Sequence, residues 1–222
     1  MHPALGRVLM LHRVVERIGP QPEAPRLEVT ADFFVATLDT LMEKGVEFIG
    51  IDEVEQRIHS KNRGYFVCVT FDDGYLDTYS LAYPVLKERQ IPFCVYLTRD
   101  FYQGKATPHW NPRAEMMREE QIVYMASDKL CTLGVHTCTH PHLDKLSFEE
   151  QRYEIASCKE DLERLVGKPV RHFAYPYGDY NGVTLRLLKE LDFVTAVTVT
   201  GRQVRNDTPL LELDRVSLLQ NN

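Results

Sequence analysis

No apolar run in this 222-residue chain approaches the roughly 18 residues that a membrane-spanning helix needs, so no span is expected. Basic clusters are missing as well. The net charge is −6 and nothing stands ready to neutralise phosphates, which argues against a nucleic-acid partner. No CxxC pair occurs among the five cysteines at 68, 94, 131, 138 and 158. Cys68, Cys94 and Cys131 lie in apolar strand-like runs and read as reduced, buried thiols. Only Val8 to Leu11 are strongly apolar near the start, before His12 and Arg13, too short for a signal-peptide core. These readings give a cytoplasmic expectation. No glycine-rich loop follows the first apolar run, which leaves a dinucleotide-binding fold without support.

What is present is an alternation. With 44% hydrophobic and 26% charged residues the chain is ordinary for a globular protein and long enough for a sizeable core. Apolar runs suited to buried strands recur at 8–11, 46–49, 65–71, 92–97, 130–135, 170–175 and 193–199, with a weaker one at 211–217. Helix-length segments lie between them. Thr30 opens one with Phe34, Leu38, Leu41 and Met42 on a single face, and Asp52 caps a short one ending near His59. Asp77 to Arg89 is another, with Pro84 as an irregularity. Asn111-Pro112 places proline at a first helical position, and Ser147 begins a capping box ahead of Tyr153, Ile155, Leu162 and Leu165. Asn181 opens the last, with Leu185, Leu188 and Leu191. Repeated strand–helix units without a composition break predict one α/β domain with a mostly parallel sheet. Seven or eight units in this length fit a distorted or incomplete (β/α) barrel, since a full eightfold barrel takes about 250 residues. Segments 17–28 and 99–112, the second holding the sole tryptophan, Trp110, read as loops over a site.

The residues that follow the strands carry the chemistry. His12 follows the first run, Asp72 and Asp73 the third, His136 with His140 the fifth, and Pro176 with Tyr177 the sixth. In parallel α/β folds the carboxyl ends of the strands gather on one face, where active sites form. His136-x-x-x-His140 can place two imidazoles on one cation, and a carboxylate from another strand completes a set that leaves positions open for water or substrate. Cys138 between the two histidines reads as a spacer, and His2, His59, His109, His142 and His172 as structural or solvated, with His109 the one that could line the loop over the site. A haloacid-dehalogenase-type phosphatase needs Asp-x-Asp, whereas Asp72 and Asp73 are adjacent.

Thr70-Phe71-Asp72-Asp73-Gly74, His136-Thr137-Cys138-Thr139-His140-Pro141 and Phe173-Ala174-Tyr175-Pro176-Tyr177-Gly178 resemble the three ordered motifs of the polysaccharide deacetylase family, the NodB-homology group of carbohydrate esterases. The resemblance covers nearly all of residues 1–222 and implies a single domain. It implies removal of an N-acetyl or related acyl or formyl group, or an O-acyl group, from a sugar of a cell-envelope polysaccharide or its precursor. Carried over by position, Asp73, His136 and His140 hold a divalent metal, Zn2+ first, with Co2+, Ni2+ and Mn2+ as the other candidates. Asp72 is the general base, and the Tyr177 backbone N–H stabilises the oxyanion. Pro176, Tyr177 and Trp110 are the candidate substrate contacts. A non-catalytic sugar-binding relative on the same barrel is the alternative reading.

Three departures stand out. No histidine follows His172, so the family's late acid histidine is missing. Val8-Leu9-Met10-Leu11-His12-Arg13-Val14 instead resembles the opening motif of a circularly permuted branch, which makes His12 the general acid. At the position of the arginine that tethers the base in many relatives, this chain has Ala174. Arg215 and Arg13 are the candidates to replace it, and without a cationic neighbour Asp72 is expected to be a stronger base with a raised pKa. The family's fourth-motif tryptophan has no counterpart, so the acyl pocket is undefined. Oligomeric state carries no signal.

Overall fold

β-Branched and aromatic runs give the strands, and those of the main sheet stand where the alternation places them. The structure, a computed structural model, describes residues 4–18, 27–60 and 64–220. Its strands are β1 (Gly6–Leu11), β2 (Arg13–Val15), β3 (Glu28–Thr30), β4 (Glu47–Phe48), β5 (Phe66–Phe71), β6 (Phe93–Leu97), β7 (Cys131–Val135), β8 (His172–Ala174), β9 (Thr195–Val197) and β10 (Arg215–Ser217). The main sheet runs β10-β1-β5-β6-β7-β8-β9 with β4 beside β5, and its ladders are parallel. Leu213, just ahead of β10, bridges in parallel to Val197 of β9. That bridge curls seven strands into a nearly closed barrel, the distorted (β/α) barrel the sequence predicts. The pair β2–β3 was not foreseen; three-residue strands carry too little periodicity to read.

Side chains alternate across the barrel wall. Cys68, Cys94, Tyr96, Ala174 and Val197 fill the interior, while Val67, Val69, Val95, Leu133 and Phe173 face the surrounding helices. Both faces are buried, which is why the strands read as continuous apolar runs. Tyr96 spreads across its cross-strand neighbour Gly134, where any Cβ would lie 2.3 Å from the ring.

The helices are α1 (Ala31–Glu43), α2 (Val54–His59), α3 (Tyr83–Glu88), α4 (Arg99–Tyr102), α5 (Glu119–Ala126), α6 (Phe148–Arg152), α7 (Cys158–Val166) and α8 (Gly182–Glu190). Thr30 caps α1 by accepting from the Phe33 N–H, Ser147 and Glu150 form the capping box of α6, and Asn181 accepts from Val183 and Thr184. Two π-helical turns interrupt the regularity: Thr78–Ala82 runs into α3, whose first turn holds Pro84, and Tyr153–Ser157 joins α6 to α7.

Several expectations fail locally. Asp52 caps nothing: Glu53 accepts from the Gly50 N–H at 3.0 Å, and Asp52 is taken up by Thr132 and by His172 Nε2 at 2.6 Å. No helix starts at Asn111, whose carbonyl closes a turn with the Ala114 N–H, and α5 begins only at Glu119. Met42 and Tyr153 are exposed rather than on their helices' buried faces, at 44% and 55%. Of the 17–28 loop, residues 19–26 lie outside the described residues, and Glu28 already belongs to β3. His2 also lies outside them. Among the described residues no helix is long and apolar enough to cross a membrane.

Candidate active site

Parallel strands of one barrel deliver their carboxyl ends to one rim, and the residues singled out from sequence meet there. Asp73 follows β5, and its Oδ1 lies 3.5 Å from Nε2 of both His136 and His140. All three are buried. His136 donates its Nδ1–H to the Ala174 carbonyl at 2.8 Å, which leaves Nε2 unprotonated and directed at Asp73. Both Asp73 oxygens and His140 Nδ1 have no hydrogen-bond partner.

The electrostatics suit a cation. Burial, then the charge of Asp72, pushes the Asp73 carboxyl well above the usual range. Burial, helped at His140 by the facing His136, pushes both imidazoles down. A buried carboxylate beside two neutral imidazoles is poorly compensated alone, and a divalent cation supplies what it needs. Asp73, His136 and His140 therefore fit a metal, as two nitrogen donors and one oxygen donor within 4.8 Å of one another. The backbone around the cluster is unusual. Asp73, Thr137, His140 and Tyr177 have left-handed φ values of 70°, 68°, 63° and 59°, a conformation that costs non-glycine residues about 1–3 kcal/mol and gathers at functional sites. Cys138 is a spacer, its Sγ turned to the Tyr153 carbonyl at 3.7 Å. All five cysteines are free and buried.

Asp72 lies beside this cluster in a different environment. Arg215 Nη1 and Nη2 donate to its two oxygens at 2.6 Å each. Arg215 is itself fixed, with Nε donating to the Thr198 carbonyl at 3.0 Å, Nη1 to Thr70 Oγ1 at 3.2 Å, and the Tyr96 ring 5.6 Å from its guanidinium carbon. Arg215 thus takes the place of the missing tether. Arg13 does not, because it is bound to Asp77 at 2.8 Å and Glu28 at 2.6 Å. The raised base expected for an untethered Asp72 is overturned. Burial alone would raise its pKa, but the charge and paired hydrogen bonds of Arg215 outweigh that and hold it well below the usual carboxylate range. Sequence could offer only candidates: Arg215 reaches the barrel mouth because β10 pairs with β1, with Val8 opposite Arg215.

His12, at the end of β1, puts Nε2 3.9 Å from Asp72 Oδ2. Burial pushes its imidazole down to about 4 against the pull of Asp72. An unforeseen residue anchors the segment that follows it: Asp77 accepts from Arg13 Nε at 2.8 Å and from the Val14 N–H at 3.2 Å.

An aromatic wall borders the cluster. Trp110 and Tyr177 each place their rings 4.6 Å from His140, and Trp110 Nε1 donates to the Tyr75 hydroxyl at 3.0 Å. His109 abuts Trp110 at 4.7 Å. Tyr177 is 38% exposed, whereas Pro176 is buried. His142, read from sequence as structural or solvated, stacks on Tyr177 at 4.0 Å and bonds Asp179 at 2.6 Å.

A family model described as polysaccharide deacetylase matches residues 59–196. Over 216 residues the chain is 27% identical to YxkH of Bacillus subtilis (strain 168), a span covering 96% of this chain and 71% of that protein. Its fold superposes on the Streptococcus pyogenes deacetylase PplD, solved in complex with acetate, with a TM-score of 0.85 at 25% identity, covering 99% of this chain and 94% of that one. For IcaB from Ammonifex degensii the TM-score is 0.82 at 29% identity, with 98% and 93% covered. The matched segment carries Asp72, Asp73, His136, His140 and Tyr177, while His12 and Arg215 arrive from strands outside it. With the barrel, the rim residues and this match in agreement, the chain belongs to the polysaccharide deacetylase family.

Proposed function

We propose that residues 1–222 form one catalytic domain, a metal-dependent hydrolase that removes an N-acetyl, or related acyl or formyl, group from a sugar of a cell-envelope polysaccharide or its precursor. The observation that carries this reading is the buried Asp73–His136–His140 cluster set directly beside an arginine-paired Asp72. Two imidazoles and a carboxylate suit Zn2+, with Co2+, Ni2+ and Mn2+ as alternatives. When bound by these three residues, the cation supplies a Lewis acid that makes water more acidic and polarises the acyl carbonyl.

The chain's own groups do the rest. Asp72, kept ionised by Arg215, accepts the proton of the attacking water. The Tyr177 backbone N–H is the donor to the oxyanion that develops on the carbonyl. His12 gives a proton to the nitrogen as the C–N bond breaks, releasing the acid and a free amino sugar. Lowered to about 4, His12 is neutral at rest, so the proton it gives is the one Asp72 takes from the water and passes across the 3.9 Å to Nε2. Trp110 and Tyr177 flank the sugar and restrict water around the reacting carbonyl.

Acetate or formate release from N-acylated oligosaccharides, measured for the metal-loaded protein, tests the reading. Asp72→Asn and His12→Ala are expected to lower kcat by about 10²–10⁴-fold. Full activity in both variants would remove the base and acid roles of Asp72 and His12. Tight glycan binding with no release in the native chain would favour the non-catalytic alternative.

A further inference from the structure

Hydrogen bonds pin the backbone of the loop between the two histidines along its length, and one side chain takes an unusual share of them. The His136 N–H bonds the Leu97 carbonyl, the Thr137 and Cys138 carbonyls accept from the N–H groups of Arg99 and Asp100, and the His140 N–H bonds Thr137 Oγ1. Two further donors converge on Glu154. Its Oε2 accepts from the N–H groups of Cys138 and Thr139, each at 2.9 Å, and its Oε1 accepts from Thr139 Oγ1 at 2.8 Å. Glu154 is only 7% exposed and lies in the π-helical turn Tyr153–Ser157. A π turn inserts an extra residue into a helix and re-aims the side chains around it, and such turns gather at functional sites.

We propose that Glu154 is a positioning residue for the metal: its carboxylate locks the His136–His140 loop in the left-handed conformation that holds both imidazoles toward Asp73. The inference rests on the metal site of the proposed function. Thr137 and His140 both have positive φ, so the loop does not hold this shape for free. Removing Glu154 leaves the buried Cys138 N–H and the part-buried Thr139 N–H without their acceptor, and the loop can then relax to satisfy them elsewhere, carrying the imidazoles out of register.

The action is geometric rather than electrostatic, which sets the test. In Glu154→Gln the amide oxygen can keep the Cys138 and Thr139 N–H bonds, while the amide N–H₂ donates to Thr139 Oγ1. Glu154→Asp keeps the charge but withdraws it from the loop. Zn2+ affinity of the chelator-stripped full chain is measured by competition with a chromophoric chelator, beside thermal melting without metal. Glu154→Ala and Glu154→Asp are expected to bind Zn2+ about 10–100-fold more weakly with little change in melting, and Glu154→Gln within about threefold of native. Should the alanine variant not fold, the aspartate variant decides. Native affinity in the aspartate variant, or a glutamine variant as weak as the alanine one, overturns the inference and leaves the proposed function standing. A native chain that binds no metal removes both.

Discussion

Replacing Arg215 by methionine removes the guanidinium and keeps an apolar stem inside the barrel. In the native chain Asp72 is held below its ordinary 3.8, so its pairing contributes stability above that pH and loses it as pH falls below. In Arg215→Met the burial is opposed only by the smaller pulls of His136 and His12, and the Asp72 pKa moves above 3.8. The sign then reverses. The folded variant binds a proton more tightly than its unfolded chain, and its stability falls as pH rises past 3.8 toward the new value. Breaking a buried pair costs about 3–5 kcal/mol, a large share of the about 5–15 kcal/mol available to a domain. Urea unfolding of chelator-stripped native and variant chains at about pH 5 and about pH 7.5 reads this directly. We expect a gap of up to about 3–5 kcal/mol at the higher pH and a clearly smaller one at the lower. The acid limb of the pH–rate profile moves toward neutrality in the same variant. A gap that is equal at both pH values, or below about 1 kcal/mol at the higher, would refute the reasoning that Arg215 compensates a buried charge.

Asp77 gives a second pH-dependent outcome. Burial, outweighing Arg13, pushes it from 3.8 up to about 6, so the native chain loses stability as pH rises through that window. Asp77→Asn should flatten this slope in urea titrations across about pH 4–6 and lower kcat by loosening the segment that follows His12, with a smaller effect on KM. Gly134→Ala forces a Cβ into the Tyr96 ring, and thermal or urea unfolding should show a loss of about 1–3 kcal/mol.

What the sequence revealed follows from which interactions are local. Buried strands are legible because both faces are apolar, and the capping of α1, α6 and α8 because Thr30, Ser147 and Asn181 bond within their own first turns. The rim residues were legible because strand ends in a parallel barrel share a face. Arg215 was only a candidate, since its meeting with Asp72 depends on β10 lying against β1. Asp52 misled because a local cap competed with two partners, Thr132 and His172, that only the folded barrel brings near. Asn111-Pro112 misled because that stretch turns beside Trp110 rather than coiling. Glu154 left no trace, for the π turn that aims it breaks the regular helical spacing.

The bridge from Leu213 to Val197 also bears on how the protein matures. Asp72 and Arg215 are 143 residues apart in sequence, and they meet only when β10 enters between β9 and β1. Such distant pairings are slow to form because the intervening chain must first be ordered. Until β10 docks, Asp72 lacks the guanidinium that pairs with both of its oxygens. Docking of β10 and readiness of the base are therefore one event, and a barrel without β10 holds the histidines and both aspartates without the arginine that keeps one of them ionised.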